Sequence, residues 1–266
     1  MNYLYKNLLS ASEKLNTVYK TDYNPTFDHL DYHPHFELYF CPKRINQRAK
    51  IFGTDYKIND PCIILSMPYT VHFMMPENNV PEFERYVVYF SKELIDSFSN
   101  WIIDKNLFTK TGIFLIKDDK SLVEALIPVF DLKLSQRRRA LAFINFLCAS
   151  GIEKITPYKV INSENTVVNI LEYLNNNIDN DLNGDTVARS FHISRATLDR
   201  IFKKYVGQSL HKTVIELKLN TALSLLKTTD LSIKEIALKC GFISEEYFYS
   251  FFKKHLGITP LSYKRH

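Results

Sequence analysis

The sequence predicts an α+β protein of two domains, and three observations carry that prediction. Residues 31–90 hold short runs of alternating polar and apolar side chains, bounded by Pro, Asn and Asp, which is how half-buried strands read. From about residue 165 the pattern turns helical and repeats itself. Ser194, Leu198, Phe202, Lys203, Lys204 and Gly207 recur as Ser244, Phe248, Phe252, Lys253, Lys254 and Gly257. Finally, 266 residues are long for one domain and comfortable for two.

The first domain, taken as 1–150, opens with Tyr3–Tyr19, which fits a short helix or a strand equally well. His33, His35, Glu37 and Tyr39 then alternate with Pro34, Phe36, Leu38 and Phe40, a period of two with one polar and one apolar side, ended by Pro42. Further strands are expected at Ala49–Ile58 (interrupted by Gly53-Thr54), Cys62–Met67, Val71–Met75 and Phe83–Phe90. Short strands with turn residues between them suit a small antiparallel barrel or sandwich. Helices are expected at Ser91–Ser99, with Ser91 as its cap, at Ser121–Leu134 and at Gln136–Ser150. The triplet Arg137-Arg138-Arg139 reads as a solvated helix start. Gly151–Glu164 lacks periodicity and contains Pro, Asn and Ser, so 151–164 is expected to link the domains.

The second domain, 165–266, spells two helix-turn-helix units. In the first, Asn183 or Asp185 caps a helix carrying Ala188, Phe191-His192-Ile193 turns, and Ser194 caps the second helix. Leu198 and Phe202 face inward there, and Arg195, Ala196, Asp199, Arg200, Lys203 and Lys204 face outward. Ser209–Leu226 reads as a connecting helix of about 25 Å, long enough to hold two reading helices near one DNA turn apart, about 34 Å. In the second unit Ser232 opens a helix, Gly241 turns, and Ser244 caps a helix with Phe248 and Phe252 inward. Glu245, Glu246, Tyr249, Ser250, Lys253 and Lys254 are its outward candidates. Arg reads guanine bidentately, and only the first unit offers Arg on its outward face. The first helix is therefore expected to supply most base specificity, and the second to hold phosphates through Lys253 and Lys254.

Charge agrees with this. The net +5 is concentrated after residue 164, where 14 Lys and Arg face 10 Asp and Glu, a balance of +4. Phosphate neutralisation needs such an excess. The four cysteines, Cys41, Cys62, Cys148 and Cys240, show no paired or metal-type spacing and suit a reducing, cytoplasmic setting. No secretory signal is expected, and no apolar run approaches the roughly 20 residues that span a bilayer, so no membrane partner is expected. Nothing resembles a nucleophile–base pair, a phosphate-binding glycine loop or paired catalytic carboxylates, which argues against an enzyme.

The run Ser232-Ile-Lys-Glu-Ile-Ala-Leu-Lys-Cys-Gly241-Phe242, followed by Tyr247-Phe248, Phe252-Lys253-Lys254, Gly257-Ile-Thr259-Pro260 and Tyr263, resembles the signature of the AraC/XylS family of transcription regulators. In outline, His33-Pro34-His35-Phe36-Glu37-Leu38, Pro68 with His72, and Tyr86–Ser91 are similar to that family's cupin-like sensing and dimerisation domains. The resemblance implies a cupin-like antiparallel β-barrel with dimerisation helices ahead of the tandem unit. It also implies a homodimeric regulator, commonly an activator, that binds double-stranded promoter DNA and contacts RNA polymerase. Its barrel would take a small effector such as a sugar or related metabolite. One departure stands out: Ser250 occupies a position that is usually basic in the family.

His33, His35, Glu37 and, after a proline-led turn, His72 admit three readings. They form a divalent-metal site resembling that of cupin barrels, with a metal-dependent enzyme as the functional rival; or they line, with Tyr39, a pocket for a polar ligand; or they are buried hydrogen-bonding groups, in a domain that only dimerises or binds protein. The cupin motif expects glycines that Cys41-Pro42 and Tyr69-Thr70-Val71 replace. No resident metal or cofactor is therefore expected, and His33, His35, Glu37, Tyr39 and His72 are kept as ligand-binding candidates.

Overall fold

The computed structural model describes residues 15–18, 31–77, 84–97, 108–116, 120–131, 133–149, 157–161 and 165–265. Of the element expected over Tyr3–Tyr19 only Leu15–Val18 is among them, and it is a strand; the rest of it and the linker positions 151–156 and 162–164 lie outside them. The described chain divides into two compact units, Lys14–Val168 and Asn169–His266.

The first unit contains β1 (Leu15–Val18), β2 (Phe36–Cys41), β3 (Gln47–Ile51), β4 (Thr54–Ile58), β5 (Cys62–Ser66), β6 (His72–Pro76), β7 (Tyr86–Phe90), α1 (Lys92–Ser97), β8 (Thr111–Leu115), α2 (Lys120–Asp131), α3 (Gln136–Ala149) and β9 (Pro157–Ile161). Two sheets result, β1-β7-β2-β5-β8-β9 and β4-β3-β6, and every strand pairing is antiparallel. The β3–β4 hairpin turns on Phe52 and Gly53, both at positive φ (46° and 77°), as a two-residue turn between right-twisted strands requires.

The six-stranded sheet packs one face on the helices. Phe36, Leu38, Phe40, Ile63, Leu65, Tyr86, Val88 and Phe90 join Leu94, Leu122, Leu126, Phe130, Phe143, Ile144 and Leu147 in one core. Its centre is aromatic: Tyr86 stacks on Phe130 at 4.0 Å between centroids, and Phe143 lies 4.8 Å from Phe130. On the opposite face Glu37, Tyr39 and Cys62 meet side chains of the smaller sheet, His72 and Gln47.

Four expectations need correction here. The strand expected to alternate from His33 starts at Phe36, and it is buried on both sides, with no solvated polar face. Ser91 does not cap α1 with its side chain: Leu94 N–H donates to the Ser91 carbonyl at 3.2 Å, and Ser91 Oγ is buried without a hydrogen-bond partner. Arg139 is no merely solvated charge, because its Nη1 donates to the Phe130 carbonyl at 2.8 Å and closes the end of α2. The stretch expected as an aperiodic linker contains β9, which pairs with β8 through Thr111↔Ile161 and Gly112↔Val160.

The second unit is all helical: α4 (Asn165–Asn176), α5 (Gly184–Ser190), α6 (Arg195–Ile201) continued by a π-helical turn Phe202–Val206, α7 (Leu210–Thr228), α8 (Ile233–Lys239), α9 (Glu245–Leu256) and α10 (Pro260–Lys264). The 19 residues of α7 span roughly 28 Å. Its later part, Leu219, Ala222, Leu223 and Leu226, belongs to the core of Ile236, Ala237, Phe242, Phe248, Phe252 and Tyr263. Among the described residues no helix is long and apolar enough to cross a membrane.

Candidate nucleic-acid interface and a buried histidine cluster

The first helix-turn-helix unit is assembled by local hydrogen bonds that the sequence dictates. Asn183 Oδ1 accepts from the Asp185 and Thr186 N–H groups at 3.1 and 2.9 Å, closing the start of α5. The turn is three residues, Phe191 to Ile193, with His192 at φ 52° and Ile193 N–H donating to the Ala188 carbonyl at 3.0 Å. Ser194 Oγ accepts from Thr197 N–H at 3.1 Å and caps α6. Leu198, Phe202 and Val206 are buried, whereas Arg195, Ala196, Asp199, Arg200, Lys203 and Lys204 are all exposed. Their spacing keeps the six on the solvent side of one helix. The helix widens at its end, where Gly207 N–H reaches back five residues to Phe202 at 2.9 Å.

Arg195 is already engaged. Its Nε lies 3.2 and 3.3 Å from the two Asp199 carboxylate oxygens, and Nη1 lies 3.9 Å from Asp185. The guanidinium occupies the space over Gly184, where a Cβ would stand 1.8 Å from Nη1. An exposed pair of this kind is worth about 0.3–0.5 kcal/mol, less than the roughly 1–3 kcal/mol of a bidentate base contact. The carboxylates therefore orient Arg195 without sequestering it. Arg200 forms none of the described ion pairs.

The second unit repeats the scaffold with a different turn. Ser232 and Glu235 form a reciprocal capping box on α8, and hydrogen bonds from Ser232 hold the Glu235 carboxyl below its usual range. Phe242 N–H donates to the Ala237 carbonyl at 3.0 Å, the counterpart of Ile193 to Ala188, 49 residues on. Ser244 Oγ caps α9 through Tyr247 N–H at 3.1 Å, 50 residues on from Ser194. One residue, Ile243, is therefore extra, and it is 99% exposed. Gly241 holds φ 69°, and a Cβ there would stand 2.7 Å from the Ile178 carbonyl oxygen, so only glycine fits. Lys218 of α7 donates to the Gly241 carbonyl at 3.0 Å and lies over the Phe242 ring.

On α9, Glu246, Ser250, Lys253 and Lys254 are exposed as expected, but Glu245 and Tyr249 are only partly so. Tyr247, absent from the expected set, is 63% exposed. Helix geometry explains the exchange. Measured from the midline between buried Phe248 and Phe252, Glu245 lies about 40° round, Tyr249 about 80° and Tyr247 about 120°. Counting angles from both phenylalanines would have found Tyr247.

The first unit of the chain holds the other candidate group. Glu37 Oε2 accepts from His33 Nε2 and from His72 Nε2, each at 3.1 Å, and all three side chains are buried. The Tyr89 hydroxyl also hydrogen-bonds Glu37, and its ring meets His33 edge-on at 5.0 Å. Burial alone would raise the Glu37 pKa, but the charge of His72 and the two imidazole hydrogen bonds outweigh it and hold the carboxyl well below its usual range. Burial likewise opposes a charge on His72, and Glu37 overcomes it, pushing His72 up to about 9. His35 stays outside: it stacks against His33 at 6.3 Å, and burial, then His33, lowers its pKa to about 4. Tyr39 belongs to a separate network, donating to Gln47 Oε1 at 2.8 Å while Gln47 Nε2 donates to Cys62 Sγ at 3.4 Å. Burial raises the Cys62 thiol pKa well above its ordinary value. So His33, Glu37 and His72 come together, His35 and Tyr39 do not join them, and Asp31, Ser66 and Tyr89 arrive from other segments.

Comparison with known proteins places this geometry. Residues 187–266 match a family model described as a helix-turn-helix domain. The chain is 36% identical over 119 residues to the xylose operon regulatory protein of Escherichia coli (strain K12), covering 41% of this chain and 30% of that protein. It is 39% identical over 84 residues to the HTH-type transcriptional regulator ArgR of Pseudomonas aeruginosa, covering 32% and 26%. The chain thus spans under a third of the length of these relatives. Among solved structures, the DNA-binding domain of AdpA in complex with a target DNA is 28% identical, covering 36% of this chain and 87% of that one, with a TM-score of 0.35.

Proposed function

We propose, from the premise that residues 187–266 are a helix-turn-helix domain of the AraC/XylS type, that the chain is a sequence-specific DNA-binding transcription regulator working in the cytoplasm. One observation carries this reading: two helix-turn-helix units, joined by the 19-residue α7, each present an exposed helix ending in a Lys-Lys pair. Two such helices at a fixed separation suit two successive major-groove faces of promoter DNA. Arg195, Ala196, Asp199 and Arg200 are assigned to bases, and Lys203, Lys204, Lys253 and Lys254 to phosphates. Glu246, Tyr247 and Ser250 line the second groove, with Glu245 and Tyr249 at its margin.

In this reading the two antiparallel sheets are a cupin-like barrel that controls the DNA-binding domain by taking a small effector, and the chain acts as a homodimer that activates by contacting RNA polymerase. Helices α2 and α3 dimerise. Phe146 on α3 and Leu134 in the α2–α3 connection are exposed apolar side chains that a second copy would cover. Residues 1–150 sense and 165–266 bind DNA; the pairing of β9 with β8 supports counting part of the connecting stretch with the sensing domain. Selection of bound sites from a random duplex library by the full chain tests the function. The expected product is a two-part motif with centres about one helical turn apart; enrichment of no sequence above background would refute it.

A further inference from the structure

Strand register brings together two thiols that their sequence spacing keeps apart. Cys41 is the last residue of β2 and Cys62 the first of β5, and the antiparallel register sets them directly opposite each other. Residues paired in this way point to the same face of the sheet, with Cα atoms about 4.5–5.5 Å apart. A disulfide needs roughly 4.4–6.8 Å between its Cα atoms. Both side chains are fully buried, and both cysteines are free thiols.

A second observation brings the sulfurs themselves together. The Gln47 side chain hydrogen-bonds both of them, with Nε2 lying 3.4 Å from Cys62 Sγ. No other thiol competes for either one. Cys148 packs on the helix-covered face of the same sheet, and Cys240 belongs to the core of the second helix-turn-helix unit.

We propose that Cys41 and Cys62 form a reversible dithiol–disulfide pair, oxidised by a low-molecular-weight disulfide. Cys41 reacts first, because it lies two residues from the exposed Lys43. Its thiol gives up a proton, and its sulfur attacks one sulfur of the oxidant. The S–S bond of the oxidant breaks, and its other half takes up a proton and leaves as a thiol. Cys62 then loses its proton and attacks Cys41 Sγ in the mixed disulfide, and the second half leaves in the same way. Two protein thiols are oxidised, and one small disulfide is reduced to two thiols.

The surroundings slow this exchange and favour its product. Burial pushes the Cys41 thiol up to about 11, and burial, then Cys41, holds Cys62 well above its ordinary value. Thiolate is therefore scarce, so attack is slow. The same scarcity denies the reduced pair the stabilisation that makes a disulfide strongly oxidising. A disulfide carries no charge, and a desolvated site accepts it without penalty.

The chain between the two cysteines is the β3–β4 hairpin of the smaller sheet. Cys41 stands where the chain leaves the six-stranded sheet and Cys62 where it returns, so the bond closes that excursion at its base. Disulfides in a reducing cytoplasm are rare and mostly transient or redox-sensing, which suits a reversible pair. The bond goes beyond the regulatory reading and needs nothing from it.

The folded, reduced full chain is incubated with glutathione disulfide, and its remaining thiols are alkylated before proteolysis and mass spectrometry. Peptides joined through Cys41 and Cys62 are expected, about 2 Da lighter than the two reduced peptides together and separated again by dithiothreitol. The crosslink should vanish in Cys41→Ser and persist when Cys148→Ser and Cys240→Ser are combined. Because a buried variant can fail to fold, the wild-type chain supplies a second readout: its oxidised form should melt roughly 5–10 °C above its reduced form. A folded wild-type chain that keeps both thiols, a bond to Cys148 or Cys240 instead, or a crosslink that forms only in denaturant would overturn the proposal.

Discussion

The two helix-turn-helix units share their hydrogen-bonded frame and differ in the turn and at the end of the outer helix. Both cap the outer helix with serine, both bury an aromatic at the same register (Phe202 and Phe252), and both close on a left-handed glycine (Gly207 and Gly257, each φ 75°). The first turns in three residues, places a non-glycine at φ 52° and ends in a π turn; the second turns in four, needs Gly241 and stays α-helical to its end. Because Ile193 and Phe242 both keep their bond to the alanine five residues earlier, the extra residue can go only outward. Insertions are tolerated where no backbone hydrogen bond has to break.

The shared frame is where substitutions should cost most. Phe202→Ala and Phe252→Ala each remove a fully buried ring and should destabilise their unit by about 3–5 kcal/mol. Thermal unfolding of the isolated variants reads this, and a large inequality between them would break the equivalence of the two cores. The glycines separate the units next. Gly241→Ala combines a left-handed φ with collision against the Ile178–Asp179 backbone and should cost more than about 2 kcal/mol. Gly257→Ala meets nothing within 4 Å and should cost only the left-handed strain, about 1–2 kcal/mol. Equal losses in Tm would show that the close approach at Gly241 is not rigid. Ile243→Ser should change stability least, within about 0.5 kcal/mol, since the side chain is almost wholly in solvent; a larger drop in chemical denaturation would mean the extra residue packs against something.

Much of this frame is legible in the sequence because its signals are short-range. Ser194, Ser209, Ser232 and Ser244 are each a side chain reaching an N–H three residues away. Ile243 was hidden because matching Ser to Ser and Gly to Gly gives a constant offset of 50. The inner helices carry the offset of 49 that exposes the insertion, in their caps Asn183 and Ser232 and in their alanines Ala188 and Ala237. In the sheets the difficulty is range. β9 is five residues whose reason for being a strand is β8, more than 40 positions earlier, and no local pattern marks it. His33, Glu37 and His72 were readable as a group, whereas Asp31, Ser66 and Tyr89 reach it through strand register and a bridge between distant segments.

The division of labour between the outer helices is the central claim, and one comparison tests it directly. Binding of the full chain, Arg200→Ala and Lys253→Ala to every single-base variant of a selected site would be measured over a range of salt. Arg200→Ala should lose about 1–3 kcal/mol of discrimination at one base pair, and Lys253→Ala should weaken all sites alike while lowering the salt slope by about 1. If Lys253→Ala erodes base preference more than Arg200→Ala does, the second unit is the reader and the assignment is contradicted.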